Sequence, residues 1–471
     1  MRRVKFSNVP GASGRDSAAE GLGDQPLGAA NFAHLMAALG PFEPEPLLAC
    51  AVSGGADSLA LLFLAVRWAK ARQGQVLAFT VDHGLRPESS QEARYVGEVA
   101  VRLGARHRTL RWEFPPRAGA LQVAARRARL RLLAEACREE GCLHLLLAHH
   151  RDDQLETFLL RLSRKSDLDG LAAMAPQRRF SGIRLLRPLL RVPKVRLEAT
   201  LREAGLSWIE DPSNQDLRHE RVKVRKLLAR PEVPREEFQK AVHVFGRLRG
   251  WTEEAMARSL AQSAAFCPGG YVMIEKAALA DLPDPLGLRV LARCLQAVGG
   301  GIYPPRGGSL LRLLNRLKKG SFQAATLGGC RLLSYGPHWL LVREWRTIAE
   351  VPIRPGESRI WDRRFRVTLS KELPEDVDPE GFSLVALGEA DRSHLGGRRD
   401  GHHIPGAARA ALPALCYLDA LVSVPHLKQY QRGYQQALHM AAAETAVAAT
   451  KLDFTSLIRV GILPLENEAR P

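Results

Sequence analysis

The sequence predicts an α/β protein: a doubly wound parallel sheet, followed by a mainly helical segment and a small α+β segment. Three observations predict it. Apolar runs alternate with helical patterns from about residue 47 to about residue 210. Most of those runs lack the in–out alternation of a half-exposed strand, as a sheet covered on both faces requires. The alternation then fades, and short strands bounded by turns return only after residue 326.

The strands read as LLACAV (47–52), VLAFTVD (76–82), HRTLRW (107–112) and LHLLLAH (143–149). HRTLRW departs most from the apolar pattern. Between and after them DSLALLFLAVRWAKAR, SQEARYVGEVAVRLG, LQVAARRARLRLLAEACREEG and DDQLETFLLRLSRK read as helices. Strand–helix alternation implies right-handed crossovers, which place any site beyond the carboxyl ends of the strands. KVRLEATLREAG is a further helix, with Pro193 at its start and Gly205 past its end. PEVPREEF (231–238) reads as a linker. The organisation is then a flexible extension (1–30), an α/β domain (31–230), a mainly helical domain (231–325), an α+β domain (326–435) and a tail (436–471).

The chain has 471 residues and a formal net charge of +18, from 68 Lys+Arg against 50 Asp+Glu. That length suits two or three cores, and that charge attracts polyanions, nucleic acid foremost. No apolar run reaches the length of a membrane span. The two early arginines have no apolar core behind them, so the N-terminus does not read as a secretory signal. The seven cysteines are scattered and form no C-x-x-C pair, which disfavours zinc-ribbon, iron–sulfur and redox readings and suits reduced thiols in a cytoplasmic protein.

The first strand ends in Ser53-Gly54-Gly55-Ala56-Asp57-Ser58 and runs into a helix. Glycines let a backbone turn tightly against a ligand, and the helix that follows offers N–H groups and a positive dipole end to phosphate. The lysine of G-x-x-x-x-G-K-[ST] is missing, so this is not that nucleotide loop. Asp57 beside phosphates implies an intervening cation, Mg2+. The same residues would also serve as a plain helix cap. The second strand ends in Asp82-His83 and the fourth in His149-His150, followed by Asp153 and Glu156 at helical spacing. In a parallel sheet all three clusters reach one edge.

These residues resemble the N-type ATP pyrophosphatases, the PP-loop enzymes, and within them the tRNA(Ile)-lysidine synthetases. The resemblance rests on SGGADS, VDHGLRPESSQEA, LQVAARRARL, AHHRDDQLET, RPLL and DPSNQD, and covers roughly residues 46 to 230; IPGAARAALPALCYLDALVSVP (404–425) is similar to the family's C-terminal domain. It implies a PP-loop fold of the adenine nucleotide alpha hydrolase type. It also implies ATP-dependent ligation of L-lysine to the wobble cytidine of a tRNA(Ile) with a CAU anticodon, through an adenylated cytidine. The implied nucleotide site is Ser53, Gly54, Gly55, Ala56, Asp57, Ser58, Asp82 and His83, with Mg2+ at Asp57. The implied catalytic set is Asp57, Arg126, His149, Asp153 and Glu156. The basic helices after residue 190 and the C-terminal stretches 392–399 and 426–432 are candidate tRNA contacts, and a homodimer is left open. Arg164-Lys165-Ser166-Asp167 replaces the family's R-G-S-G, Leu130 replaces an aromatic residue, and Arg221-Val222-Lys223-Val224-Arg225 lacks the asparagine of R-N-x-I-R. Two alternatives stand beside this reading: another PP-loop tRNA modifier, such as a 2-thiolating enzyme, and a tRNA-binding protein with a vestigial site.

Overall fold

A computed structural model of the protein describes residues 24–82, 89–111, 121–210, 220–301, 303–320, 323–373, 377–389, 404–430 and 438–442, with the side chains of 121–127 and 438–442 left out. The chain divides into two compact units between Arg249 and Gly250. No described helix is long and apolar enough to cross a membrane.

The first unit opens with α1 (Ala29–Ala37). Strands and helices then alternate: β1 (Leu47–Ala51), α2 (Ala56–Lys70), β2 (Gln75–Asp82), α3 (Ser89–Leu103), β3 (Arg106–Arg111), α4 (Leu121–Glu139), β4 (His144–Leu146) and α5 (Arg151–Ser163). After the short α6 (Leu168–Leu171) come β5 (Gln177–Phe180), β6 (Ile183–Leu186), α7 (Lys194–Glu203), α8 (Glu220–Leu228) and the first part of α9 (Arg235–Ser263), whose residues from Gly250 on are counted in the second unit.

The sheet runs β3-β2-β1-β4-β6-β5. All pairs are parallel except β5 with β6. Alternate residues of each central strand enter different cores. Along β1 and just past it, Leu48, Cys50 and Val52 face a core shared with α1, α2, α3 and α7, while Ala49 and Ala51 face a core shared with α4. Val76 and Ala78 against Leu77 and Phe79 repeat the split in β2. Both sets are apolar because both faces are covered, which is why these strands show no alternation. β3 is an edge, and its charged, mostly exposed side chains explain its poor apolar pattern.

Three features depart from the sequence reading. The β5–β6 hairpin makes the sheet mixed at one edge; its turn, Ser181-Gly182, has φ +50° and +80°, the two positive values a tight two-residue hairpin requires. Residues 24–28, counted in the flexible extension, are held down: Arg196, 1% exposed, donates from Nε to Gln25 O at 2.8 Å, and Leu27 N donates to Thr200 Oγ1 at 2.8 Å. An anchor some 170 residues away in sequence leaves no local trace. The linker read at 231–238 is helical from Arg235, which begins the 29-residue α9; Pro234 stands immediately before it, where proline suits a helix start.

The second unit holds β7 (Ala264–Cys267), β8 (Tyr271–Glu275), α10 (Lys276–Asp281), α11 (Asp284–Gly299), α12 (Gly307–Lys318), β9 (Ala324–Leu327), β10 (Cys330–Tyr335) and β11 (His338–Arg343). It continues with β12 (Val351–Pro352), β13 (Ser358–Trp361), β14 (Phe365–Leu369), β15 (Phe382–Ala386), α13 (Gly406–Arg409), β16 (Pro413–Tyr417), β17 (Ala420–Val424), β18 (Gln429–Tyr430) and β19 (Leu438–Ala442). Its sheets are β7-β8-β11-β10-β9, β12-β15-β16-β17-β18 and β13-β14-β19. The first draws strands from both sides of residue 325, because Pro268-Gly269-Gly270 is the turn of the β7–β8 hairpin inside the segment read as mainly helical. β19 lies within the stretch read as a tail and pairs with β14. Of the basic stretches, 392–399 lies outside the described residues. His426 packs edge-on to Phe365, with ring centroids 5.3 Å apart, and hydrogen-bonds Pro268 O at 3.1 Å.

Candidate active site

β1 and β4 are neighbours whose chains leave to opposite sides, the topological switch at which open α/β sheets hold ligands. Beyond β1 the chain turns at Gly54, φ +87°, a left-handed conformation that suits glycine. Space demands glycine as well: a Cβ there would lie 2.7 Å from Ile209 Cδ1, and Ile209 N donates to Gly54 O at 2.9 Å. α2 then starts at Ala56 with Gly55 as its N-cap and no side chain capping it. The two serines tie the loop to itself. Ser58 Oγ donates to Gly55 O at 3.0 Å and accepts from Ser53 N at 3.1 Å. The loop is thus pre-shaped, with the positive end of α2 behind it.

Beyond β4, His150 caps α5. Its Nδ1 accepts from Asp152 N at 3.2 Å, and Asp153 Oδ2 accepts from His150 N at 3.1 Å. This reciprocal cap locks the imidazole, which is only 6% exposed. Nε2 then lies 3.4 Å from Asp57 Oδ2 and 3.6 Å from Asp153 Oδ2. Burial opposes protonation of the ring. The hydrogen bond to Asp57 and the charges of Asp153, Asp57 and Asp152 outweigh it, so its pKa stands above the ordinary 6.5. Protonation would turn Nδ1 from acceptor to donor, with Asp152 Oδ2 3.5 Å away.

One turn further along α5, Glu156 is 2% exposed and accepts from Arg225 Nε at 2.8 Å. Arg225 comes from α8. Burial works against its charge, but Glu156, then Asp153 and Asp57, hold its pKa above the usual value. Asp57, Asp153 and Glu156 therefore form one electrostatic cluster with His150 and Arg225.

Two oxygens of this cluster are buried without a hydrogen-bond partner among the described residues: Asp57 Oδ1 and Glu156 Oε2. Orphaned buried acceptors are costly, so they mark a place for a cation or ammonium group. No group of three or more His, Cys, Asp or Glu suited to a metal occurs among the described residues. Mg2+ does not require one, since it takes one or two carboxylates and completes its shell with phosphate oxygens and water. Asp57 fits that part.

Other predicted residues fall elsewhere or outside the description. Asp82 ends β2 on the same edge, but Ser89 Oγ at 2.6 Å and Ser90 Oγ at 3.5 Å donate to its carboxylate. It lines a separate cavity of about 610 Å3 with His107 and Arg111. Ala56 is buried as the first residue of α2, and His149 is half-buried after β4. His83 lies outside the described residues, as does the side chain of Arg126, whose backbone belongs to α4. His150 and Arg225 are the residues the sequence reading missed. His150 had a signal, the N-cap position before two aspartates; Arg225 lay in a motif noted only for its missing asparagine. The RKSD loop, short of two glycines, nonetheless turns through Lys165 at φ +51°, a conformation that costs a non-glycine residue about 1–2 kcal/mol.

Residues 29–232 match the PP-loop domain family. The chain is 38% identical over 331 residues to a tRNA(Ile)-lysidine synthase of Wolbachia pipientis, covering 68% of this chain and 77% of that one. It is 36% identical over 345 residues to one from Ruegeria pomeroyi, covering 72% and 80%. A third, from Bradyrhizobium, is 41% identical over 316 residues, covering 64% and 87%. With this likeness running well past the PP-loop domain, the chain belongs to the tRNA(Ile)-lysidine synthase family.

Proposed function

We propose that the protein ligates L-lysine to the wobble cytidine of an isoleucine tRNA with a CAU anticodon, consuming ATP and releasing AMP and pyrophosphate. Cytidine O2 attacks the α-phosphorus of ATP, and the bond to pyrophosphate breaks. The lysine ε-amine then attacks C2, and the C–O bond to AMP breaks. The observation that carries this reading is the approach of Asp57 and Asp153, from the ends of two different strands, to one nitrogen of His150.

The loop amides after Gly54 and the N-terminus of α2 receive the phosphates. Mg2+ at Asp57 would offset charge building on the departing pyrophosphate. His150, next to the His149 of the sequence reading, orients Asp57. The free oxygen of Glu156 receives the lysine ammonium, with Arg225 holding the other oxygen. Asp153 takes the proton that frees the amine for attack. Arg126 and His83 remain assigned to the nucleotide from the family pattern alone. A 2-thiolating reaction has less support: six of the seven cysteines are buried, and the seventh, Cys267, belongs to β7 of the second unit.

The test combines the full chain, an unmodified CAU transcript, ATP and lysine. The expected result is tRNA-dependent pyrophosphate release and a cytidine heavier by one lysine less one water. Pyrophosphate release without that gain, or a gain of sulfur in place of oxygen, overturns the reading.

A further inference from the structure

A cleft of about 1480 Å3 in the first unit is not at the carboxylate cluster. It lies between the loop leading into α7 and the first half of α9, with α5 at its floor. Asp57, Asp153 and Glu156 are not in its wall. On α5 it takes Arg151, Gln154 and Leu155, which at 100° per residue stand opposite Asp153 and Glu156. One helix thus carries the reactive cluster on one face and the cleft on the other.

The wall has a distinct chemistry. Nine of its residues are Arg or Lys and three are Asp or Glu, a ratio of three to one in a chain whose ratio is 68 to 50. On α9, Lys240, His243 and Arg247 recur at helical spacing and line one side. Across from them Arg191 reaches His243 Nδ1 at 3.4 Å. No Phe, Tyr or Trp is among the lining residues described, so the cleft lacks the large rings on which bases most often stack. Its volume also exceeds the ~300–1,000 Å3 of sites for small molecules. A three-to-one excess of cations and no Phe, Tyr or Trp, in a trough open to solvent, match a sugar–phosphate backbone better than a nucleobase.

We propose that this cleft is a docking groove for the phosphate backbone of the RNA substrate, separate from the pocket that receives the reactive base. The proposal rests on the tRNA reading of the function and adds a second contact surface to it. Backbone held in the groove lies about 10 Å, one helix diameter, from Asp153 and Glu156. The groove therefore supplies affinity and register while the far face of α5 supplies chemistry.

Arg191, Lys240 and Arg247 are exposed side chains, so replacing them leaves the core untouched. The experiment measures binding of a CAU transcript to the full chain over a range of KCl. For the triple variant R191A/K240A/R247A the expected result is at least tenfold weaker binding at ~100 mM salt. The slope of log K against log salt should shrink by about two to three, and KM for tRNA should rise while KM for ATP does not. The charge-keeping R191K/K240R/R247K should bind as the wild type does. If wild type binds and modifies tRNA but the alanine variant keeps its affinity and slope, the groove is not a footprint and the proposal fails alone. If wild type does not bind tRNA, the functional reading fails and the groove with it. Competition by polyglutamate as strong as by RNA would make the cleft a site for acidic protein and likewise overturn the proposal.

Discussion

Both units pair buried carboxylates with arginine, and the two clusters are finished differently. In the second unit Asp362, between β13 and β14, accepts from Arg343 through Nε and NH2 and from Arg364 Nε at 2.6 Å. The remaining donors reach backbone: Arg343 NH1 to Gly329 O at 2.7 Å, Arg364 NH2 to Ala411 O at 2.8 Å and Arg364 NH1 to Gly270 O at 3.4 Å. Both oxygens of the carboxylate are engaged. In the first unit Asp57 and Glu156 each keep one buried oxygen with no partner. A complete network joins pieces of backbone and has nothing left to offer a ligand. An incomplete one stores an unmet demand that a cation, ammonium or phosphate-bound metal can meet. Composition alone does not tell a structural buried charge from a chemical one; Asp57 and Glu156 differ from Asp362 in the unmet acceptor that each carries.

The contrast is broken most directly at its two carboxylates. Asp57→Ala should remove pyrophosphate release by about a thousandfold or more, while tRNA binding persists and stability stays within about 1 kcal/mol. Normal turnover by this variant would mean the cation assignment is wrong. Asp362→Ala should do the reverse. It strands two buried guanidinium groups and should cost about 3–5 kcal/mol, read by chemical denaturation of the full chain, with ATP binding retained wherever the chain stays folded. A stable Asp362→Ala protein would show that the finished network contributes little.

The two clusters should also answer pH with opposite signs. His426 is half-buried near Arg364, and loss of solvent first, then that charge, push its pKa down to about 4 despite the bond to Pro268 O. The unfolded chain, near 6.5, binds the proton more readily. Its contribution is therefore complete above pH 6.5 and is lost as pH falls towards 4, at most about 3 kcal/mol. His150 has a raised pKa, so its contribution is complete below 6.5 and fades as pH climbs through the folded value. Hydrogen exchange read peptide by peptide between pH 4 and 9 should show the second unit loosening in acid, with His426→Asn flattening that trend. The same sign in both units would remove the distinction.

What the sequence made legible follows from range. β1, β2 and β4 were readable because burial on two faces writes itself into adjacent residues, and the Gly54 turn because a left-handed backbone against Ile209 needs glycine. The choice between His149 and His150 was not readable from strand position. It turns on which ring caps α5, and a residue-level shift reverses which side a chain end presents. Arg225 was invisible because its partner, Glu156, is 69 residues away and nothing in α8 announces a buried acceptor. The second unit was least legible: strands of two to six residues with mixed polarity look alike whether they end in a sheet or a helix, and β8 finds β11 only across three helices.

The smallest effect separates demand for charge from demand for shape. Glu156→Gln keeps an amide oxygen for Arg225 Nε and places an NH2 where the orphaned Oε2 now lies. The isosteric side chain preserves packing, and losing a buried carboxylate oxygen with no partner offsets the weaker bond to Arg225, so stability should move by less than about 1 kcal/mol. A lysine ammonium, however, would meet a donor where it needs an acceptor. KM for lysine should rise ten- to a hundredfold, the ~1.5–3 kcal/mol of a charge-assisted hydrogen bond, while the adenylation step, followed as tRNA-dependent pyrophosphate release in the first turnover, stays near wild type. Equal loss in both steps would place Glu156 in the scaffold with Asp362 and leave Asp57 as the one unfinished acceptor of the first unit's cluster.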